Sequence, residues 1–302
     1  MKTIFKRTLV DTLKIPAIIL MTAAGIIGGT FLTRNLTESS SYMAFLNDTL
    51  VRQHLIVFFL VNGAALYSIV CSVCSGLIAG EVHEGTFRIL VAKPNSRITI
   101  LVSKILGVFT GTMILMILGL SAMYTAEILS VNWDGNIMND MLRYFPGYIL
   151  YGLITTFFLS SLSVLLSTIA KKRVIALLPM LLVMIMILAL PVIVRVVLSF
   201  SQRTPPALMN LVDINYHFGL IFKWCCELCG GFSGTGSQME LTGLLMNIFT
   251  TVQMDMDIAR SYSSPLYVSN DMLPTLGVLA VYLIFGLINY VGSILIINNK
   301  NV

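Results

Sequence analysis

Charge is scarce in this 302-residue chain: Asp, Glu, Lys and Arg make up 11% of it, against 57% hydrophobic residues and a mean hydropathy of +0.89. A soluble domain carries about 25% charged residues, so that class is excluded. Other absences narrow the field further. No G-x-x-x-x-G-K-[ST] phosphate loop occurs, and the richest glycine stretch, residues 230–236, lacks the lysine, so the chain is expected neither to bind nor to hydrolyse ATP. No Ser-His-Asp, paired-carboxylate or H-E-x-x-H arrangement supports a membrane-embedded hydrolase. The basic residues fall in small groups between apolar stretches, without the interleaved aromatics of a nucleic-acid surface. There is no internal repeat and no pair of broken helices in matching halves, which disfavours secondary transport. Of five cysteines, Cys71 and Cys74 read as packing. The group Cys225, Cys226 and Cys229 has no recognised zinc spacing, although a disulfide with one thiol left over is allowed.

What is present is a set of long uncharged intervals. A bilayer core of about 30 Å needs roughly 20 apolar helical residues. Intervals free of Asp, Glu, Lys and Arg run over residues 15–33, 53–80, 105–126, 144–170, 174–194 and 272–299. Six crossings place both termini on one side. Assigned to the cytoplasm, that side holds 12 of the 19 Lys and Arg residues, and the short loops opposite hold only Arg34, Arg52 and Arg143. The basic stretch 1–14 resembles the start of a signal peptide, but five further spans follow and no clean cleavage site ends the first, so a retained anchor is expected.

Inside the spans the deepest polar residues are Asn62 and Asn289, expected to bond to neighbouring helices, and no titratable group is expected at membrane depth to couple transport to an ion. Arg195 follows the fifth interval and is expected to snorkel to the interface. Pro179 and Pro191 should kink the fifth span. Glycines in the first three spans, among them Gly25, Gly29, Gly107 and Gly111, permit close helix approach, within one chain or between two.

The most informative stretch joins the second and third spans. Glu81 and Glu84 stand one turn apart, Gly85 allows a change of direction, and residues 86–92 can form a short helix with Phe87, Leu90 and Val91 on one side. Pro94-Asn95-Ser96 reads as a turn, with Asn95 or Ser96 suited to cap the helix that carries Arg97 and Lys104. At the amino terminus Ile4, Phe5, Thr8, Leu9, Thr12 and Leu13 share one helical face, with Lys2, Lys6, Arg7 and Lys14 largely elsewhere, as in an amphipathic helix lying at an interface.

The run Gly80-Glu81, Glu84-Gly85-Thr86, Leu90, Pro94-x-Ser96-Arg97 and Lys104 resembles the signature of type-2 ABC transporter permeases between the second and third of six spans. The resemblance covers about 30 residues closely, and the span pattern agrees over the whole chain. It implies an all-α integral membrane protein, a single permease domain over residues 1–302. That domain would comprise an interface helix (1–14), a cytoplasmic coupling loop (81–103) and a long extracytoplasmic segment (195–271) before the sixth span. The coupling loop would carry a helix seated in a groove of an ATP-binding subunit. On this reading Glu81, Glu84, Gly85, Thr86, Phe87, Arg88, Leu90, Pro94, Ser96, Arg97 and Lys104 are the coupling contacts, with Glu81 and Arg97 bracing the loop. The plainer alternative is that Glu81, Arg97 and Lys104 only pair with one another or with lipid headgroups.

The resemblance further implies a multi-pass protein of a bacterial plasma membrane that exports an amphiphilic substrate and acts with a separate ATPase holding ATP and Mg. A second permease, identical or related, would complete the pathway. This chain would hold no cofactor and no metal. The apolar patch 241–252, too short to cross, would be re-entrant or form a lid. A different class, a membrane scaffold or sensor subunit contacting a cytoplasmic protein through the same loop, is the competing expectation.

Overall fold

A computed structural model describes residues 1–34, 42–87, 96–130, 135–200, 207–232, 236–251 and 267–299. Among them six helices are long and apolar enough to cross a membrane: Ile15–Leu32, Phe45–His83, Arg97–Ser130, Ile137–Ile169, Arg173–Leu198 and Thr275–Asn299. Hydroxyls are carried inside these apolar helices by bonding back to carbonyls one turn earlier, as Thr30 does to Ile26 (2.9 Å) and Thr112 to Val108 (2.9 Å). Their polarity is therefore spent locally, and the helix surface stays compatible with lipid.

Glycine sets the closest packing. A Cβ at Gly25 or Gly29 would collide with the backbone carbonyls of Gly119 or Met123, so the first and third spans touch backbone to backbone within the chain. The same device seats the N-terminal helix Lys2–Thr12: Thr8 and Thr12 are buried over Gly107 and Gly111 of the third span. The predicted face of Ile4, Phe5, Leu9 and Leu13 is thus half-buried, largely against protein, and Lys2, Lys6, Arg7 and Lys14 stay exposed.

The second and fifth spans are irregular. The second contains a π-helical segment, Val57–Ala65, within which Asn62 donates to the Tyr148 carbonyl of the fourth span (2.8 Å), and it breaks again after Gly76. The fifth runs as Arg173–Leu188, breaks at Ala189 and resumes as Leu190–Phe200. Pro179 is accommodated in the first of these helices, whereas the break falls beside Pro191. Proline forfeits the bond to the carbonyl four residues back, here Ile187, and the Asn215 side chain donates to that carbonyl instead (2.8 Å).

The third span is 34 residues, about 50 Å long, so Lys104 and Glu127 near its two ends flank a core of about 30 Å. Both are buried, and each lies one residue beyond the uncharged interval 105–126.

Opposite the N terminus, the segment before the sixth span forms a cap. It contains the helices Ile214–Glu227 and Gly236–Met246 and a two-stranded antiparallel sheet of β1 (Phe249–Thr251) and β2 (Tyr267–Ser269), pairing Thr250 with Val268. Of the patch 241–252, residues 241–251 are described, and they form a helix end followed by a strand. Asn247, at φ 60°, makes the left-handed stop between them.

Candidate functional site

The loop between the second and third spans is held at its roots by three other spans. Breaking the second span after Gly76 exposes backbone groups that need partners. Ser167 of the fourth span supplies one side: its hydroxyl accepts from the Ile78 and Ala79 amides (3.1 and 3.0 Å) and donates to the Ser75 carbonyl (2.9 Å). Lys104 of the third span supplies the other, donating to the Leu77 carbonyl (2.6 Å) and pairing with Glu81. At 3% exposure Lys104 has almost no access to water, so removing either partner would leave a buried charge uncompensated.

The short helix Ala79–His83 then ends, and Gly85 reverses the chain at φ +73°. Among the described residues no atom lies within 4 Å of where its Cβ would be, so there the glycine answers to backbone conformation rather than to a contact. Thr86 donates to the Glu81 carbonyl (3.4 Å). On the return, Ser96 caps the third span by accepting from the Thr99 amide (3.1 Å). Arg97 donates to the Ile297 and Asn298 carbonyls (2.8 and 3.1 Å), where the sixth span ends and its last carbonyls lack helical partners.

Of the residues predicted as coupling contacts, Glu81 and Lys104 meet, while Glu84 and Gly85 stand exposed at the turn. Arg88, Leu90 and Pro94 lie outside the described residues, as does most of the expected helix over residues 86–92. The two residues expected to brace the loop take separate partners: Glu81 pairs with Lys104 of the third span, and Arg97 reaches the sixth span, whose C-terminal carbonyls attract a cation. One expectation needs correction. Phe87 is 1% exposed within this chain's own core, so it is an internal anchor of the loop rather than a side chain offered to a partner. The role of Ser167 went unseen, because nothing in a serine-rich apolar helix marks which hydroxyl will meet a break elsewhere.

The far end carries a second set of buried polar groups. Arg195 does not snorkel. At 3% exposure it pairs with Asp213 and donates to Asn215 Oδ1 (3.0 Å) and the Leu245 carbonyl (2.8 Å), because the fifth span resumes after Ala189 and turns this residue onto the cap. Asp213 also caps the helix it precedes, accepting from the Tyr216 amide (3.0 Å). Beside it His217 Nε2 donates to the Asn210 carbonyl (2.9 Å), which leaves Nδ1 to accept from Tyr282 (3.0 Å). Burial holds the His217 imidazole below its ordinary range.

His54, not singled out from the sequence, is buried where the second and fourth spans meet the cap. It bonds to the Tyr148 hydroxyl (2.7 Å), stacks on Phe232 at 4.5 Å and stands 3.9 Å from the Cys226 sulfur. The cysteines are free thiols; burial pushes Cys225 up to about 12 and Cys226 well above its usual range, which makes them poor nucleophiles. Among the described residues no three His, Cys, Asp or Glu side chains gather as a metal site.

Six membrane-length helices, a cap at one end and a short loop tethered to the third, fourth and sixth spans at the other define a multi-pass permease. The chain belongs to the ABC-2 family transporter proteins, whose family model matches residues 6–292. No curated protein matches it.

Proposed function

We propose that this ABC transporter permease is one half of an exporter for an amphiphilic substrate, driven by ATP hydrolysis in a separate ATP-binding subunit that docks on the loop around Gly85. In this reading the N-terminal end faces the cytoplasm of a bacterial cell, the cap is extracytoplasmic, and a second permease completes the pathway. The ATPase holds ATP and Mg, and this chain does no catalysis of its own.

The observation that carries the proposal is the double tether. A push on the loop reaches the third and fourth spans through Glu81, Lys104 and Ser167, and the sixth through Arg97. An amphiphilic cargo suits spans whose central turns hold hydroxyls and amides but no fixed charge to select a small ion.

The test is co-purification with a candidate ABC ATP-binding subunit co-expressed with this chain, followed by substrate-stimulated hydrolysis and efflux in reconstituted vesicles. Stable association together with transport-linked hydrolysis is the expected result. Association with a cytoplasmic protein that is not an ATPase, and no efflux, would favour the scaffold or sensor reading.

A further inference from the structure

At the N-terminal end, a cleft of about 720 Å³ opens between the N-terminal helix, the start of the first span, the second span and the start of the fifth. Its size falls within the roughly 300–1,000 Å³ usual for small-molecule sites. Its lining is mixed. Arg7, Lys14, Arg173 and Glu84 contribute charge, while Ala17, Leu20, Ile69 and Val73 contribute apolar surface, with the Ser68 and Ser72 hydroxyls between them on the second span. From Gly76 to Ser68 the continuous helix of the second span in this wall covers about 12 Å at about 1.5 Å per residue, most of one leaflet of a core about 30 Å thick.

The charges do not cancel. Four cations (Arg7, Lys14, Lys104 and Arg173) face three carboxylates (Asp11, Glu81 and Glu84), and two of those carboxylates are occupied within the wall: Asp11 pairs with Lys14 (3.0 Å) and Glu81 with Lys104. Arg173 lies over Gly76, where a Cβ would be 3.4 Å from its Nε. Its Nη2 donates to the Ser72 carbonyl (2.9 Å) and hydroxyl (2.7 Å). A guanidinium so fixed keeps its charge and still has Nη1 and Nε hydrogens, on separate edges, to donate singly to phosphate oxygens.

We infer that this cleft binds one anionic glycerophospholipid from the leaflet on the side of the N terminus, its phosphodiester between Arg173, Lys14 and Arg7 and its acyl chains along Leu20, Ile69 and Val73. A phosphodiester with an uncharged headgroup carries the single negative charge that complements the lining, whereas a zwitterionic lipid brings its own cation and gains nothing from the excess. The lipid ties the N-terminal helix to the first turn of the fifth span, two elements that meet across the cleft. This goes beyond the transport reading and does not depend on which way the chain is oriented.

The experiment uses the full chain purified in neutral detergent. Phosphatidylglycerol, phosphatidylcholine with the same acyl chains, and inorganic phosphate are each titrated in, with lipid retention read by native mass spectrometry and stabilisation by thermal melting. Phosphatidylglycerol is expected to bind with about one lipid per chain and to raise the melting temperature; the other two are not. Arg173→Gln and Lys14→Gln should each weaken its binding about five-fold, the size expected for one basic residue at an anionic surface. Lys6→Gln, on an exposed position of the same helix outside the cleft, should not. Asp11→Asn, which frees Lys14, should tighten binding and remains informative if Arg173→Gln fails to fold. Equal binding of phosphatidylcholine, the same stabilisation by phosphate alone, or an equal loss in Lys6→Gln would overturn the assignment.

Discussion

Replacing Gly85 separates backbone conformation from contact, because its φ of +73° is left-handed while among the described residues no atom lies within 4 Å of where a Cβ would sit. An L residue there pays about 1–2 kcal/mol in the left-handed region, and a β-branched one more, whereas asparagine visits it routinely. One to two kcal/mol is a factor of about 5–30 in the ratio of correctly to wrongly turned loop. The expected order is therefore Gly85 ≈ Gly85→Asn > Gly85→Ala > Gly85→Val in ATPase-linked efflux, with equal amounts of inserted protein. The assay is substrate-stimulated hydrolysis and efflux in vesicles, normalised to permease in the membrane. Wild-type coupling in Gly85→Val would refute the role of the turn. A loss in Gly85→Asn as deep as in Gly85→Val would mean that the space beside Gly85 belongs to the docked ATPase, and that φ is not what selects glycine.

Three further perturbations follow from the same geometry. Arg97→Gln removes the bond to the end of the sixth span (2.8 Å to Ile297) and should lower transport without preventing co-purification with the ATPase; loss of association instead would make Arg97 a docking contact. Asp213→Ala strips both the helix cap and the partner of buried Arg195, at a cost of about 3–5 kcal/mol, and the double change with Arg195→Met should recover much of it, as read by melting temperature. His217 is held neutral by burial, so its contribution is full above the ordinary imidazole value of about 6.5 and is lost as pH falls below it, where the unfolded chain takes up the proton. Melting of the wild type should drop between pH 7.5 and 5, and less in His217→Gln; an equal drop in both would place the pH sensitivity elsewhere.

The six spans were legible because an apolar run of bilayer length has few other uses, and the loop was legible because its residues sit at a fixed spacing between two such runs. Gly85 and the Ser96 cap followed from local rules alone. Partners across the bundle did not. Arg195 reads as an interfacial cation when the fifth interval is taken as a straight helix, and only the break at Ala189 turns it inward to Asp213. Glu81 and Arg97 were legible as bracing residues, but not which span each would reach: Glu81 takes Lys104, where the broken second span also leaves the Leu77 carbonyl to be satisfied. His54 stayed hidden because its apolar interval continues past it; what marks it is Tyr148 in another span.

The distribution of regular and broken helices carries a mechanical consequence. The first and third spans meet through Gly25 and Gly29 without an internal break, so shearing one past the other would drive a backbone carbonyl into the opposite helix. The second and fifth are broken at similar depth. The π segment of the second faces the break of the fifth, where a Cβ at Gly63 would approach Leu188 to 3.2 Å, and Asn215 already replaces the hydrogen bond that Pro191 forfeits. A π turn is one residue out of register with the α pattern, so its hydrogen bonds can shift by a residue without leaving a backbone group exposed. If the loop passes a displacement to Glu81 and Lys104, as proposed, the third span offers it an unbroken helix and the second an interrupted one. On that reading the second span should bend at Val57–Ala65, beside the break of the fifth; paired spin labels on either side of that segment that keep a fixed distance through the ATPase cycle would refute it.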